Sequence, residues 1–264
     1  MKKTLLSLAM TATIGLFSSA ATAAFLPWTI DDTVVPGEAG AGAVHVVNNL
    51  TGKYSELLGF TGPGAFSASA IGQFTSYAFD GTPVDSLLGG PLAFAPSYNL
   101  YARFVATGVA TSATTFIGTG GKLELYLDAA RDTVFSAPGG AGFTSFTDYA
   151  SATAGLGDDI LIGSSTTSWG TGDLIGPPGA FDIFFDDFAL TAFGKTYWTS
   201  PDPFHLRIQT NGDIDGVTGL GGPGPYQITG DFSAGFVVPE PGSLALLGLA
   251  LAGLGFTQRR KMVK

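Results

Sequence analysis

Turn-forming residues interrupt the middle of this chain about every ten residues, and this spacing is the strongest constraint on its fold. The segments between the interruptions alternate between apolar and polar residues, which is the period of a half-buried strand. The clearest segment runs from Lys122 to Asp128, where three leucines occupy alternate positions. Since no segment of this region has the apolar period of a helix, we predict an all-β fold, a single antiparallel β-sandwich or jelly-roll-like domain. The predicted turns include Pro36-Gly37, Asp80-Gly81, Gly120-Gly121 and Asn211-Gly212.

Composition excludes several classes of function. The chain has 264 residues, is 45% hydrophobic and contains 21 phenylalanines, so it can form a packed core. It contains no cysteine, which excludes disulfides, thiolate metal sites and a cysteine nucleophile. The net charge of −9 repels phosphate backbones, so nucleic acid is not expected as a partner.

The first 23 residues have the three parts of a secretory signal peptide. Lys2 and Lys3 precede an apolar run over residues 5–17, and a small-x-small site ends the segment. A buried N-terminal helix is the alternative, but the basic start, the short apolar middle and the small-residue exit together favour export. We expect signal peptidase to cleave at a site formed by Ala21, Ala23 and Ala24.

The C-terminal end combines a proline motif, a short apolar run and a basic tail. A helix over residues 242–257 would be about 24 Å long against a hydrocarbon core of about 30 Å, which suits temporary membrane retention better than permanent anchoring. The basic tail should stay in the cytoplasm by the positive-inside rule. The prolines fix φ and lack N–H groups, so the motif should be extended and accessible to a processing enzyme. The motif is Pro239, Glu240 and Pro241, and the tail includes Arg259, Arg260 and Lys261.

These three parts, in this order, resemble the PEP-CTERM sorting signal. The resemblance implies recognition by a membrane-embedded exosortase, a transient anchor in the inner membrane of a Gram-negative bacterium, and removal of the tail. The protein would then be released to the cell surface or into the exopolysaccharide matrix. A plain C-terminal anchor with a proline-rich collar is the alternative. The chain accordingly divides into a signal peptide (residues 1–23), a β-rich extracellular domain (24–238) and a sorting signal with a short transmembrane helix (239–264).

The extracellular domain is acidic and contains part of a calcium-binding pattern. Its 6 basic and 20 acidic side chains give a net charge of −14. Asn211, Asp213 and Asp215 occupy alternate positions before a glycine, as in the first half of a calcium loop. Because the twelfth position is Gly222 and not a bidentate glutamate, a polar β-turn is the favoured interpretation. Weak calcium binding stays open, and no other cofactor is expected.

Two further features are candidates for sugar chemistry. Trp28, Trp169 and Trp198 could stack on sugar rings, because an aromatic face presents apolar area to the C–H side of a saccharide, although a core role is the commoner one. Residues 181–188 place three carboxylates among five apolar side chains. Read as a strand, this segment puts residues 181, 183 and 185 on one face. Paired carboxylates can serve glycoside hydrolysis, but solvated acids at a strand end are the favoured interpretation.

No catalytic residues are predicted. The two histidines, His45 and His205, lie in strand-like alternations and not at ligand spacings. The chain also lacks the serine-hydrolase, zinc-protease, phosphate-loop and aspartic-protease motifs.

Several short segments of the domain carry a second resemblance. They resemble the family of flocculation-associated, PepA-like PEP-CTERM proteins. This resemblance implies a non-enzymatic matrix protein that associates cells with exopolysaccharide in flocs or biofilm. The alternatives are a secreted carbohydrate-binding module and, with less support, a secreted glycosidase. The segments are Phe25-Leu26-Pro27-Trp28-Thr29-Ile30-Asp31-Asp32, Val35-Pro36-Gly37, Tyr54-Ser55-Glu56, residues 123–128 and residues 197–204.

Overall fold

Antiparallel strands account for nearly all regular structure in the computed structural model, which describes residues 25–38, 42–60, 64–88, 97–135, 153–154, 157–174, 179–218 and 226–237. A 3₁₀ helix (Asp32–Val34) and the single-turn helix α1 (Gly194–Tyr197) accompany the strands. The strands are β1 (Trp28–Asp31), β2 (Val44–Val47), β3 (Asn49–Phe60), β4 (Ala65–Phe79), β5 (Thr82–Pro83), β6 (Asn99–Ala110), β7 (Thr115–Asp128), β8 (Val134–Phe135), β9 (Thr153–Ala154), β10 (Ile160–Ser165), β11 (Trp169–Asp173), β12 (Gly179–Phe185), β13 (Ala189–Leu190), β14 (Trp198–Ser200), β15 (Ile208–Ile214), β16 (Gly216–Thr218) and β17 (Tyr226–Phe236).

Eight of the described strands form a closed antiparallel sheet. Their hydrogen-bonding order is β11-β12-β15-β17-β3-β4-β6-β7, and the first part of β7 pairs with β11 to complete the circle. The last part of β7 pairs instead with β10, which leads away from the circle to β13. The prediction of an all-β fold is therefore confirmed, but the sheet closes into a barrel where two packed sheets were expected.

Bulges help the long strands to curve around this barrel. The register shifts between Thr51 and Gly52 in the β3–β4 pair and between Thr107 and Gly108 in the β6–β7 pair. A bulge bends its strand and increases the local twist, which favours closure. Because alternate side chains face inward in a sandwich and in a barrel alike, the sequence period does not separate the two architectures.

Alternate side chains of the barrel strands point into one apolar core. The leucines of the Lys122–Asp128 segment are all buried there, as their spacing predicts. In β12, Phe181 and Phe185 line the interior together with Ile183, so the predicted face of this strand is also confirmed.

A three-stranded sheet, ordered β14-β1-β2, packs against one end of the barrel. Its contacts are aromatic: the ring centroid of Trp28 lies 5.0 Å from that of Phe236 and 6.5 Å from that of Tyr77. The Trp198 ring lies 5.6 Å from Phe236. This packing buries both tryptophans.

A buried polar chain links this end of the barrel to the 3₁₀ helix. The Tyr98 hydroxyl donates to Asp32 at 2.9 Å, and the Leu87 N–H donates to the second Asp32 oxygen at 2.8 Å. Because Tyr98 uses its only proton there, Tyr197 must donate to Tyr98, and Tyr77 must donate to Tyr197. Burial raises the pKa of the Asp32 carboxyl above its ordinary value, although both donors act in the opposite direction.

Two predicted turns are confirmed. Pro36-Gly37 forms a turn with Gly37 at φ +88°, and Asp80-Gly81 connects β4 to β5 with positive φ at both residues. An Asp-Gly pair with this geometry is the expected connection of a tight hairpin.

Two other predicted turns are wrong. Gly120-Gly121 lies inside β7 and Asn211-Gly212 lies inside β15, so the polar turn expected around residue 211 is a strand. A Cβ atom at Gly121 would come within 2.4 Å of the Val105 carbonyl oxygen, and one at Gly212 within 2.4 Å of the Asp231 carbonyl oxygen. These glycines permit close backbone approach between strands and do not reverse the chain.

The predicted signal peptide (1–23) and sorting signal (239–264) lie outside the described residues. Within residues 25–237, as far as the structure describes them, no helix is long and apolar enough to cross a membrane.

Candidate functional site

Trp169 and Phe184 form an aromatic platform on the outer surface of the barrel. They are directly opposite each other in the β11–β12 pair, and both point away from the interior. Their rings are stacked, with centroids 4.3 Å apart and planes inclined by 15°. Since the Trp169 residue is 44% exposed, one side of this stack is open to solvent.

Polar groups fix the orientation of this platform. The indole N–H of Trp169 donates to Asp186 Oδ2 at 2.8 Å, while Arg207 Nε donates to the other Asp186 oxygen. The guanidinium carbon of Arg207 also lies 5.6 Å from the centroid of the Trp169 ring. Next to it, Gln209 donates to Asp182 Oδ1 at 2.9 Å. We call Trp169, Phe184, Asp186, Arg207 and Gln209 the outer aromatic site.

The outer aromatic site has the chemistry of a saccharide contact. An exposed indole offers apolar area to the C–H face of a sugar ring, and neighbouring carboxylate, amide and guanidinium groups can hydrogen-bond to hydroxyls. The held indole also loses little freedom on binding, which favours affinity.

The other two tryptophans do not share this position. Trp28 is 1% exposed and Trp198 is 2% exposed, because both pack between the three-stranded sheet and the end of the barrel. A saccharide in solvent cannot reach either ring face. Of the three tryptophans predicted as sugar contacts, only Trp169 is placed to act as one.

Two of the three predicted calcium ligands lie in a cluster of carboxylates. One oxygen from each of Asp213, Asp215 and Asp231 lies within 4.8 Å of the others. The strand register explains the cluster, because Gly212 pairs with Phe232, which brings Asp213 of β15 opposite Asp231 of β17. Asp231 is also 3.5 Å from the Lys53 ammonium group, on an exposed surface. Asn211, the third predicted ligand, is paired with Ser233 and with Asp182 in the sheet.

The acids that follow β12 are more strongly bonded than solvated strand-end acids would be. Asp187 accepts hydrogen bonds from the backbone and the hydroxyls of Thr166 and Thr167, and from the hydroxyl of Ser165. Although burial acts in the opposite direction, these donors hold the pKa of Asp187 well below its ordinary range. Asp187 therefore orders the loop between β10 and β11, which leads directly into Trp169.

The histidines occupy structural positions. His45 Nε2 lies 3.9 Å from Asp32, and His205 Nε2 lies 3.0 Å from the Pro27 carbonyl oxygen. The His205 contact is with a backbone carbonyl, whereas His45 lies beside the buried Asp32 carboxyl, too far away for a hydrogen bond.

Sequence reasoning missed most of the outer aromatic site. In the sequence, Phe184 and Asp186 belong to an acidic aromatic segment, and Arg207 and Gln209 are alternate polar positions of another segment. Their alternation predicts that each set shares a face, but the pairing that joins the sets to Trp169 depends on long-range register.

The chain matches the family model of the PEP-CTERM protein-sorting motif over residues 237–261. This motif indicates an extracellular protein targeted to exosortase, secreted or held at the surface of a Gram-negative bacterium after a transient membrane anchor. No curated protein and no solved structure matches the chain.

Proposed function

We propose that this protein is a non-enzymatic component of the extracellular matrix that associates cells with exopolysaccharide in flocs or biofilm. The observation that carries the proposal is the sorting motif at residues 237–261, since a protein handled by exosortase is delivered outside the cell. In this proposal signal peptidase removes residues 1–23, and exosortase removes the tail after the proline motif. The resemblance to flocculation-associated proteins of this type supports the matrix role.

The outer aromatic site is the proposed contact with the polysaccharide. The exposed face of Trp169 stacks on a sugar ring, and Asp186, Arg207 and Gln209 bind hydroxyl groups around it. Each such contact is weak, so many copies on a cell surface would act together on a repeating polymer.

Charge sets the condition for binding an acidic polymer. The β-rich domain (residues 24–238) has a net charge of −14 and repels an acidic polysaccharide, so either divalent cations bridge carboxylates on both sides or glycans on the protein entangle with the polymer. The cluster of Asp213, Asp215 and Asp231 is a candidate bridge, because calcium prefers carboxylate oxygens. Chelation should then weaken retention in flocs.

A co-sedimentation experiment tests this function. The full chain is mixed with purified exopolysaccharide in millimolar calcium, with and without EDTA. Trp169→Ala should weaken binding about two- to twelvefold, because an aromatic stack is worth about 0.5–1.5 kcal/mol and about 1.4 kcal/mol is a factor of ten. Phe79→Ala removes another exposed aromatic ring, outside this site, and should leave binding unchanged.

Equal losses for the two variants would refute the outer aromatic site. Binding that persists through chelation and high salt would refute cation bridging but not the aromatic contact. Mass spectrometry of the extracellular form tests the delivery step independently, because a surface protein that still contains Arg259 and Lys261 contradicts processing.

A secreted carbohydrate-binding module is the second candidate, and the same Trp169 platform favours it. It differs in one measurable respect: a soluble oligosaccharide should bind saturably and quench tryptophan fluorescence. Because Trp28 and Trp198 are buried, any such quenching would be assigned to Trp169 and lost in Trp169→Ala.

A further inference from the structure

The barrel interior contains a cavity of about 150 Å³. Its walls are almost entirely apolar, and small side chains explain why the interior is not filled. Alternate inward positions of β4 are occupied by Ala68, Ala70 and Gly72, and those of β6 include Ala102 and Ala106. An eight-stranded barrel is just wide enough to be filled by large side chains or to hold one small ligand, so a run of alanine and glycine leaves space for a ligand.

Glu56 is the only acidic or basic side chain among the described residues that line this cavity. It lies on β3 between Tyr54 and Leu58, which also line the cavity, and its neighbours across the sheet are Ala70 and Ile228. Burial raises the pKa of the Glu56 carboxyl to about 7. The Glu56 residue is half-buried, and a carboxyl group among apolar walls is unusual because a charge there is normally paired.

No described residue supplies this carboxyl group with a hydrogen bond or an ion pair. Tyr54 is the other titratable side chain of the described lining, and its hydroxyl donates to the Asp213 carbonyl oxygen at 3.1 Å. At the level of Glu56, strands β17, β4, β6 and β7 contribute only apolar residues, namely Ile228, Ala70, Phe104 and Leu123. The described residues therefore provide no hydrogen-bond donor for this carboxyl group. An unpaired polar group in an apolar cavity is costly, so a ligand that donates to it would be stabilised.

We propose that the barrel cavity binds a small organic ammonium ion. The ammonium group donates to the Glu56 carboxylate, and the hydrocarbon or aromatic part of the ligand occupies the apolar wall formed by β4 and β6. Three observations carry this assignment: the apolar lining, a volume close to the roughly 150 Å³ of cavities that accept a benzene-sized molecule, and the unpaired acid. The acidity of the chain also raises the local concentration of cations.

Water alone fits the cavity less well. A buried water molecule needs two to four polar partners, whereas the wall around Glu56 is apolar. An anionic ligand would place two negative charges together, and a purely apolar ligand would leave the carboxyl group unpaired. This inference does not depend on the matrix role, since the cavity is bordered by the inward side chains of β12 and the Trp169–Phe184 stack lies on the outer face of that strand.

Equilibrium dialysis with two probes of the same shape tests the proposal. Benzylamine carries the ammonium group, and toluene is its uncharged counterpart. At pH 8 the full chain should take up one benzylamine per molecule. Glu56→Gln should weaken benzylamine binding at least tenfold while toluene binding stays within twofold, since only the charge pair is lost.

Ala70→Leu is the second variant, because it fills the cavity beside Glu56 without changing the acid. It should reduce uptake of both probes at least tenfold. A third measurement uses the unmodified chain: benzylamine binding should weaken at least fivefold from pH 8 to pH 5, as Glu56 becomes protonated, while toluene binding stays constant.

The proposal is overturned if the unmodified chain takes up neither probe. It is also overturned if toluene binds and benzylamine does not, which would describe an uncharged apolar site, or if Glu56→Gln binds benzylamine as tightly as the unmodified chain.

Discussion

Replacing the cavity acid Glu56 with glutamine should stabilise the protein at alkaline pH. In the folded state its pKa rises from an ordinary value of 4.5 to about 7, because burial disfavours the charged form. One pKa unit corresponds to about 1.36 kcal/mol, so the ionised carboxylate lowers the free energy of unfolding by about 3 kcal/mol above pH 8. Glu56→Gln removes this cost and keeps the shape of the side chain.

The pH dependence has a definite sign. Between pH 4.5 and 7 the folded chain binds more protons at Glu56 than the unfolded chain, so stability falls as the pH rises through this window. Below pH 4 both states are protonated, and Glu56→Gln should have the stability of the unmodified chain. Above pH 8 the difference should be constant at about 3 kcal/mol in favour of the variant.

Urea titrations of the full chain at pH 4 and pH 8.5, without any amine in the buffer, give the two free energies of unfolding. Glu124→Gln is the matched control, since burial there is outweighed by Lys122 and Tyr126, which lower the pKa of Glu124. Its contribution is present above pH 4.5 and lost as the pH falls, so this control should destabilise the chain at pH 8.5. If Glu56→Gln were neutral or destabilising at pH 8.5, the carboxylate would have a favourable partner and the reasoning on the cavity would fail.

Two further predictions concern the packing of the barrel. Tyr98→Phe should lower the free energy of unfolding by about 1–3 kcal/mol, because the buried Asp32 loses a hydrogen-bond donor. Tyr226→Phe is the control, since the Tyr226 hydroxyl has no hydrogen bond among the described residues, and it should change the free energy of unfolding by less than about 0.5 kcal/mol. Equal effects of the two variants in urea titrations would contradict the buried polar chain. Gly212→Ala should cost about 1–3 kcal/mol, because the new methyl group would meet the Asp231 carbonyl oxygen at 2.4 Å. Gly172→Ala is its control, since the nearest atom to a Cβ there is 3.7 Å away, and thermal melts that rank the two glycine variants in the opposite order would refute the close-approach explanation.

The sequence predicts the faces of the strands well, because the apolar and polar positions alternate with the pleat. The leucines of β7 and the inward residues of β12 follow this rule. It does not predict closure, since β7 closes the barrel through hydrogen bonds with β11 that depend on backbone register and on bulges. The sequence also does not distinguish a glycine in a turn from a glycine that permits close packing. Gly81 and Gly212 both follow a typical turn residue, but only Gly81 has a positive φ. Gly212 instead allows two strands and the Phe181 ring to approach each other closely.

The two candidate sites were missed for different physical reasons. The outer aromatic site requires register, since Trp169 and Phe184 are neighbours only once β11 and β12 are aligned. Glu56 does have a signal in the sequence: it shares the alternate positions of Tyr54 and Leu58, so it is a carboxyl group on a face that is otherwise apolar. The sequence does not predict which side chains surround Glu56, because the alanines opposite it belong to another strand, β4.

Trp169 borders the cavity, but its ring stacks on the outer face of β12, so we expect the two sites to act independently. In β12 the side chains of Ile183 and Phe185 line the cavity, whereas Phe184 between them stacks on Trp169 outside. A substitution at Trp169 therefore leaves the inner lining of β12 in place, and Glu56→Gln leaves the outer aromatic site in place. If occupancy of the cavity changed polysaccharide binding, β12 would have to move as a unit. Benzylamine would then alter the co-sedimentation of the unmodified chain but not that of the Ala70→Leu variant, whose cavity is filled. Equal co-sedimentation of the unmodified chain with and without benzylamine is the expected result, because the closed hydrogen-bonded circle holds β12 on both edges.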